Sequence, residues 1–333
     1  MISEKQFIGS IRRLAHASRN RAVLRGIGDD CAVLRPKAGF DLLVTTDLSI
    51  EDVHFRRPWH PARSVGHRCL ARGLSDIAAM SGEPLACFLS LGLPPDLPQK
   101  WADDFLTGLM ALAKHWGVEL AGGDVSSAAK ITADIMVVGQ APTGKAILRS
   151  GAKPGDRIFV TGQLGASAAV LRRMFTGERV RPSRSSRHFF PEPRLEVASV
   201  LRQRGLASSM IDLSDGLSVD LAHICEESRV AARISASKIP IASGADLQLA
   251  LHGGEDYELL FTAPPQARVP KQIAEVQISE IGAILHQSRL RLSERESKKS
   301  RSRKDYSSAI EILDKNGLLE PLAPLGWQHF RKK

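Results

Sequence analysis

The chain has 333 residues, of which 43% are hydrophobic, and this is enough for two domains with substantial cores. No stretch reaches the roughly 18–20 apolar residues that a membrane-spanning helix needs. The N-terminal segment lacks both the apolar core and the cleavage site of a secretory signal. The four cysteines are scattered without a CxxC pair, which argues against a disulfide framework or a structural zinc site. We therefore expect a cytoplasmic protein that has no membrane partner.

The formal net charge of +10 raises the question of nucleic-acid binding. Much of the excess lies in basic runs at residues 179–188 and 297–304 and in the last three residues. None of these runs is interleaved with aromatic residues that could stack on bases, and only 5% of the chain is aromatic. We therefore expect no nucleic-acid partner, and we interpret the positive charge as an attraction for anionic phosphate substrates.

Strands and helices alternate in the first half of the predicted structure. Ser3 and Gln6 form a capping-box pattern that opens an amphipathic helix, and residues 41–47 (DLLVTTD) predict a strand. A helix is predicted over 61–80, with Gly82 as its cap. A strand over 86–94, a helix over 99–116 with core aromatic residues, and a strand over 131–139 follow.

The turn GAKPGD, at residues 151–156, is the best candidate for a domain boundary. Beyond it the mixed pattern repeats: a strand at RIFVTG, a helix over Ala166–Phe175, a strand at SSMIDLSD, a helix from Leu217 and a strand at ELLFTAP. We therefore predict an α/β protein with two domains, covering residues 1–148 and 149–333.

Five short segments place an aspartate beside glycine, serine or threonine at the end of an apolar stretch, and we interpret them as turns. They are GIGDD (26–30), TTD (45–47), LSD (74–76), AGGD (121–124) and DLSDG (212–216). Mg²⁺ prefers oxygen ligands, which carboxylates and hydroxyls supply, and glycine lets the backbone approach a phosphate. A single turn of this kind is common in loops and indicates no function. Five of them predict a cleft in which metal ions neutralise the carboxylates and bridge a polyphosphate.

The common nucleotide-binding motifs are absent. GIGDDC has Cys31 where a dinucleotide fingerprint needs its third glycine, and GQAPTGKA has Ala146 in place of the hydroxyl residue of a P-loop. The sequence contains no protein-kinase, zinc-protease or GxSxG signature. If the chain binds ATP, it does so with a different architecture.

Seven motifs, in this order, resemble those of the thiamine-monophosphate kinase family: GIGDDCAVL, TTDLSIEDVHF, LSDIAAMSGEP, AGGD, RSGAKPGD, IDLSDGL and HGGEDYEL. This family is part of the ATP-binding superfamily that includes aminoimidazole ribonucleotide synthetase. The resemblance implies mixed sheets flanked by helices and a homodimer formed by the N-terminal domain, which binds ATP and metal. It implies that the C-terminal domain completes the nucleotide and substrate site. It also implies ATP-dependent phosphorylation of thiamine monophosphate to thiamine diphosphate.

The same resemblance assigns residues of this sequence to three groups. The ligands of several Mg²⁺ ions are Asp30, Thr45, Thr46, Asp47, Asp76, Asp124, Asp212 and Asp215. The ATP-binding residues are Gly123, Asp124, Arg149 and Ser214, and the substrate-binding residues are His54, Glu255 and Trp327. No catalytic acid, base or nucleophile is expected, because the acceptor phosphate is already ionised and phosphoryl transfer depends on positioning and charge neutralisation.

Structural alternatives stay open for the substrate residues. His54 could be a core histidine, Trp327 could pin the tail, and Glu255 could cap a turn. Ser49 and Asp52 stand where the family has an apolar residue and a small residue, so we expect the lip of the substrate pocket to differ.

Two alternative functions also stay open. One is another ATP-using enzyme of the superfamily, although residues 1–30 lack the reactive cysteine of a selenophosphate synthetase and the chain lacks the cysteine-bearing tail of a hydrogenase-maturation enzyme. The other is a non-catalytic regulator that binds nucleotide or metal, which the retention of all the acidic residues argues against.

Overall fold

The computed structural model describes residues 4–15, 19–28, 30–183, 185–287 and 309–327. The expected capping residue Ser3 and the basic run at 297–304 lie outside the described residues. The chain forms two compact units, each of which has its own sheet.

The two units are not consecutive halves of the chain. The first unit takes the described residues within Met1–Ala146 and Thr176–Leu195, and the second takes those within Ile147–Phe175 and Glu196–Lys333. The chain first passes between the units after Ala146, close to the boundary predicted after residue 148. The segment Thr176–Leu195, which we call the return segment, then goes back to the first unit, and a single boundary does not describe it.

The first unit is built around a four-stranded sheet. Its elements are α1 (Glu4–Ala15), β1 (Val23–Arg25), β2 (Val33–Leu34), β3 (Phe40–Ile50), α2 (Ala62–Ala79), β4 (Glu83–Leu93), α3 (Gln99–Trp116), β5 (Glu119–Ser127) and β6 (Thr132–Pro142). The sheet has the order β3-β6-β4-β5; β4 and β5 are parallel, and the other neighbours are antiparallel. β1 and β2 pair separately. The strands and helices predicted in this region are confirmed, although β3 extends beyond its predicted end. The expected Gly82 cap is wrong, because Met80 caps α2 and Ser81, with a φ of +58°, takes the left-handed conformation after it.

α2 covers one face of this sheet, and α3 packs against α2 with its backbone in close contact. A Cβ atom at Gly108 of α3 would lie 1.8 Å from the Arg63 carbonyl oxygen, and one at Gly66 of α2 would lie 1.9 Å from that of Phe105. Glycine at both positions therefore permits this approach. Phe105 and Leu109 are fully buried, as expected for core residues, whereas the aromatic residues Trp101 and Trp116 are half-buried.

The second unit contains a larger mixed sheet. Its strands are β7 (Arg157–Thr161), β8 (Ser209–Asp212), β9 (Ala231–Ser235), β10 (Leu259–Ala263), β11 (Gln272–Ile273), β12 (Val276–Leu285), β13 (Ile310–Leu313) and β14 (Leu319–Pro321). Its helices are α4 (Ala166–Phe175), α5 (Leu195–Gln203), α6 (Leu217–Ser228) and α7 (Leu247–His252). The strand order is β14-β13-β9-β12-β7-β10-β8, with β11 paired to β12. Leu217, Leu221 and Ile224 of α6 share one buried core with Ile158 and Leu260 of the sheet.

These two mixed sheets with their helices confirm the expected fold. No helix in the part of the chain that the structure describes is both long enough and apolar enough to cross a membrane. The cytoplasmic location stays a prediction.

Candidate active site

Three of the five aspartate-containing segments are not turns. TTD lies inside β3, LSD lies inside α2 and AGGD lies inside β5, so the turn interpretation is wrong for them. In β3 the physical reason is that threonine, being β-branched, favours a strand, and the alternating pattern continues through Leu48 to Ile50. GIGDD lies between β1 and β2, and DLSDG connects β8 to α6. Regular elements therefore hold most of these carboxylates in place.

Asp47 and Asp76 lie on the side of β3 that α2 covers. The Thr45 hydroxyl donates a hydrogen bond to Asp76 Oδ2, which joins the strand to the helix. Arg72, one turn before Asp76, forms an ion pair with Asp47 (Nη2 to Oδ1, 3.3 Å) and donates to the Leu48 carbonyl oxygen at 2.8 Å. Sequence reasoning missed Arg72, although its spacing from Asp76 places both residues on one face of a helix.

Thr46 faces the other side of the sheet. Its Oγ1 donates to Asp134 Oδ1 at 2.6 Å. Asp134 pairs across the sheet with Ser90, and Ser90 pairs with Asp124, so these residues share one face. The expected metal ligands of this unit are therefore distributed over both faces. Among the described residues, no group of three or more His, Cys, Asp or Glu side chains is arranged to hold a metal ion.

A cavity of about 640 Å³ in the first unit brings together Asp30, Gly123 and Asp124. Its volume is within the range of small-molecule sites. Apolar residues from α1, β4 and β5 and from the loop after β1 complete its walls, among them Ile8, Ile11, Ile27, Phe88, Leu89 and Val125. Gly123 has a φ of +147°, and a Cβ atom there would lie 1.9 Å from the Leu89 carbonyl oxygen, so the position requires glycine.

His54 lies just beyond the end of β3. Its Nδ1 accepts a hydrogen bond from the Ile50 amide at 3.0 Å, which assigns the ring hydrogen to Nε2. The imidazole is half-buried. This contact orients the ring and makes Nε2 the hydrogen-bond donor of the imidazole.

The two departures from the family pattern have different structural roles. Asp52 has a φ of +66°, a conformation that glycine adopts freely and aspartate tolerates, which explains a small residue at this position. Its carboxylate forms an ion pair with Lys130 at 2.9 Å. Ser49 is only 4% exposed and contacts Cys69 of α2, so it packs between β3 and α2, and its effect on the pocket lip stays a prediction.

Four of the expected site residues converge on one loop of the second unit. Ser214 and Asp215 follow β8, and their carbonyl oxygens accept hydrogen bonds from the amides of Glu255 (2.8 Å) and Trp327 (3.1 Å), respectively. Gly326 lies so close that a Cβ atom there would be 2.2 Å from the Asp215 carbonyl oxygen. Segments that are remote in sequence therefore meet at this loop.

Glu255 is held in a strained backbone conformation. Its φ is +64°, and that of Tyr257 is +50°. The Tyr257 amide donates to the Leu213 carbonyl oxygen at 2.9 Å, so hydrogen bonds to one loop fix both strained residues. Such conformations cost on the order of 1–3 kcal/mol each and cluster at functional sites. The strain favours a binding role for Glu255 over the simple turn cap.

Asp220 is a buried carboxylate that sequence reasoning missed. Its Oδ2 accepts hydrogen bonds from the amides of Asp215 (3.2 Å) and Gly216 (3.0 Å) at the start of α6. Burial raises the pKa of Asp220 well above its usual range, and the charges of Asp212 and Asp215 raise it further. The available sequence signal was an acidic residue in the first turn of a helix, where the helix dipole favours negative charge.

Arg149 does not join this loop. Its carbonyl oxygen accepts a hydrogen bond from Ser228 Oγ at 2.8 Å, and Ser228 is the last residue of α6, whereas Asp215 precedes the first. The 12 residues of α6 span about 18 Å at the usual helical rise. The Arg149 backbone therefore lies at the opposite end of α6 from Asp215, and its role in binding ATP stays a prediction.

Comparisons with known proteins agree with these features. The models for the N-terminal and C-terminal domains of AIR synthase related protein match residues 28–141 and 153–294. Thiamine-monophosphate kinase of Escherichia coli (strain K12) is 38% identical over 262 residues, which cover 75% of this chain and 79% of that protein.

Solved structures give the same assignment. Thiamine-monophosphate kinase from Stenotrophomonas maltophilia K279a has a TM-score of 0.76 and is 33% identical, covering 86% of this chain and 95% of that one. AaThiL complexed with AMPPCP and TMP has a TM-score of 0.74 and is 27% identical, with 99% of both chains covered. Hydrogenase maturation protein HypE in complex with ATP has a TM-score of 0.77 at 16% identity, a likeness that shows the fold alone. With the fold of the AIR synthase related proteins and this degree of identity, the chain belongs to the thiamine-monophosphate kinase family.

Proposed function

We propose that this chain transfers the γ-phosphoryl group of ATP to thiamine monophosphate, giving thiamine diphosphate and ADP. The observation that carries the proposal is the convergence of Glu255 and Trp327 on the Ser214–Asp215 loop, because residues expected to bind substrate, nucleotide and metal thereby lie together at one loop. Membership of the family supports the same reaction, as does the named complex of a relative with TMP and an ATP analogue.

The reaction forms a bond between a phosphate oxygen of thiamine monophosphate and the γ-phosphorus, and breaks the bond from that phosphorus to the bridging oxygen of ADP. The attacking oxygen is ionised at neutral pH, so the protein has no proton to remove. Its residues must therefore bind both anions, align them and exclude water. The loop strain at Glu255 suits such positioning, because it fixes the backbone before the substrate binds.

We infer that Mg²⁺ is the metal, and the donor set fits it. The candidate ligands are carboxylates and hydroxyls, which are the oxygen donors that Mg²⁺ prefers. Burial is the main cause of the raised pKa of Asp220, and the nearby charges of Asp212 and Asp215 raise it further; a cation would relieve this charge repulsion. Asp30, Thr45, Thr46, Asp47, Asp76, Asp124, Asp212 and Asp215 would hold the ions. When bound, Mg²⁺ would neutralise phosphate charge that develops during the transfer.

For thiamine monophosphate we propose contacts from His54, Glu255 and Trp327. The Trp327 side chain is 51% exposed, and an indole ring suits stacking on the cationic thiazolium ring. The half-buried Glu255 carboxylate and His54 Nε2 offer polar partners for the edges of the pyrimidine ring.

We also propose a homodimer formed by the sheets of two first units. α2 covers one face of the sheet, whereas the opposite face of β3 presents Leu42, Val44 and Leu48, which are 49%, 62% and 48% exposed. β3 is also the end strand in the described sheet. An apolar row on a free strand is a surface that soluble proteins usually cover, and a second copy would cover it symmetrically.

A coupled ADP-release assay with several acceptors tests the proposed reaction. The purified chain is incubated with ATP, Mg²⁺ and either thiamine monophosphate, thiamine or no acceptor, and the thiamine products are identified by mass spectrometry. We expect ADP and thiamine diphosphate in equal amounts with thiamine monophosphate alone. ADP release that is independent of the acceptor, or release without thiamine diphosphate, would overturn the proposal.

A further inference from the structure

The cavity of the first unit contains a cation that the expected site does not include. Arg12, in the last turn of α1, lines this cavity together with Asp30, Gly123 and Asp124. Among the described residues that line the cavity, Arg12 alone carries a positive charge, whereas Asp30 and Asp124 are acidic.

The backbone at Gly28 holds the guanidinium group in this position. A Cβ atom at Gly28 would lie 2.7 Å from both Cζ and Nη2 of Arg12, so the group packs directly over the glycine Cα. Gly28 has a φ of +125°, which glycine adopts most readily. The GIGDD segment therefore provides both an acidic residue, Asp30, and the glycine against which the Arg12 side chain packs.

The cavity has an apolar wall and a polar wall. Ile8, Ile11, Phe88 and Leu89 provide an apolar part that suits a planar base, and Arg12 with the glycine-rich backbone provides donors for anionic oxygens. A guanidinium group binds phosphate through two parallel hydrogen bonds, which gives both affinity and orientation. We propose that Arg12 binds the polyphosphate of the nucleotide in this cavity, with the base against the apolar wall. This inference rests on the proposed function, because it concerns the nucleotide of that reaction.

Arg13 is a matched control on the same helix. Its Nη2 donates to Ser10 Oγ at 2.9 Å, one turn back on α1, and it does not line the cavity. Arg12→Ala and Arg13→Ala remove the same charge from adjacent positions, so a difference between them reports on the cavity and not on net charge or helix stability.

Cys31 provides a binding readout that does not depend on turnover. It lines the cavity and is exposed, whereas Cys69, Cys87 and Cys225 are buried. Burial also raises the pKa of each of these three thiols, which suppresses their reaction. N-ethylmaleimide should therefore modify Cys31 selectively, and mass spectrometry can follow the rate.

The experiment measures how ATP and adenosine protect Cys31 in the wild-type chain and both variants. We expect ATP to protect the wild type and Arg13→Ala at similar concentrations, and Arg12→Ala to need at least tenfold more ATP. Adenosine should protect all three equally, because it has no phosphate. Equal ATP protection in Arg12→Ala and Arg13→Ala would overturn the inference, as would loss of adenosine protection in Arg12→Ala, which would indicate a structural role.

Failure of this inference and failure of the proposed function give different results. A wild-type chain that forms thiamine diphosphate while ATP leaves Cys31 unprotected contradicts the nucleotide position alone. A chain whose Cys31 is protected in an Arg12-dependent manner, but which transfers nothing to thiamine monophosphate, contradicts the proposed reaction and leaves Arg12 as a nucleotide-binding residue.

Discussion

The backbone amide of Trp327 donates a hydrogen bond to the carbonyl oxygen of Asp215 at 3.1 Å. A residue near the end of the chain is thereby fixed beside a carboxylate that follows β8, while its own side chain stays half exposed. The hydrogen bond belongs to the backbone, so the indole ring can be changed without removing the anchor. A substitution of the indole ring therefore tests the ring without moving the loop.

Trp327→Ala should raise the Michaelis constant for thiamine monophosphate roughly tenfold, because an aromatic stack on a cation contributes on the order of 1–2 kcal/mol. The constant for ATP should change little. Glu255→Gln should likewise raise the Michaelis constant for thiamine monophosphate and leave that for ATP nearly unchanged. Steady-state kinetics with each substrate varied in turn measures both constants, and Leu325→Ala, at an equally exposed neighbouring position, is the control. A rise in the ATP constant alone would place Trp327 with the nucleotide.

Asp47→Asn and Asp76→Asn should each abolish turnover and leave the fold intact. Asparagine keeps the shape and one acceptor oxygen, so the Thr45 hydroxyl retains a partner at position 76, but the negative charge that a metal ion needs is lost. ADP release at saturating Mg²⁺ and thermal unfolding measure the two properties. Asp103→Asn on the exposed side of α3 is the control. Near-normal turnover in both variants would refute the metal assignment.

The proposed homodimer predicts a light-scattering mass of twice the 36.2 kDa of one chain. Val44→Lys should shift the mass toward one chain, because Val44 is 62% exposed in the apolar row of β3 and a lysine there would be buried without a partner. Phe175→Lys, at a similarly exposed position in the second unit, should leave the mass unchanged. A single-chain mass for the wild type at micromolar concentration would contradict the proposal.

Gly108→Ala should destabilise the protein by about 1–3 kcal/mol or more, because the new methyl group would lie 1.8 Å from the Arg63 carbonyl oxygen and force α2 and α3 apart. Gly9→Ala in α1 is the matched control. There the methyl group meets Arg13 at an ordinary 3.8 Å, so the better helix propensity of alanine should be neutral or slightly stabilising. Urea unfolding of both variants measures the difference, and equal stabilities would contradict the close helix contact.

Stability should fall as the pH drops below about 6.5, because of a buried histidine pair. His60 Nε2 and His188 Nε2 lie 2.9 Å apart. Burial, with the charges of Arg68 and His60 next, lowers the pKa of His188 to about 2. The unfolded chain therefore takes up a proton near pH 6.5 that the folded chain does not, and folding loses about 1 kcal/mol between pH 7 and 5.5 from this group.

His188→Gln keeps a hydrogen-bonding group but cannot titrate, so it should flatten this part of the pH profile. Unfolding free energies of the wild type and the variant at pH 7, 6 and 5.5 measure the effect. His223→Gln on α6 is the comparison for loss of a histidine outside the pair. Identical slopes for the wild type and His188→Gln would show that the pair does not control acid stability.

The fold was predictable where the local spacing of apolar residues indicated a single type of secondary structure. α2, α3 and α4 have clear helical spacing, and β6 has apolar alternation, so local pattern and final structure agree. The return segment was not predictable, because its position depends on long-range contacts such as that between His60 and His188, which no local pattern encodes.

The candidate site was predictable as a set of residues and less so as an arrangement. The resemblance named Ser214, Asp215, Glu255 and Trp327 without showing that two backbone hydrogen bonds join them. Asp220 escaped because an acidic residue in a first helical turn is common, and only burial gives it significance. Arg12 escaped because its partner is a glycine backbone, which leaves no charge pattern in the sequence.

The return segment also sets an order for folding during synthesis. His67 Nε2 bonds to the Pro191 carbonyl oxygen at 2.8 Å, and Phe189 is fully buried, so the first unit cannot complete its packing until these residues have left the ribosome. By then Ile147–Phe175, which belongs to the second unit, has already emerged. A nascent chain stalled before residue 176 would therefore expose apolar surface to chaperones. This surface would become buried only when Phe189 emerges.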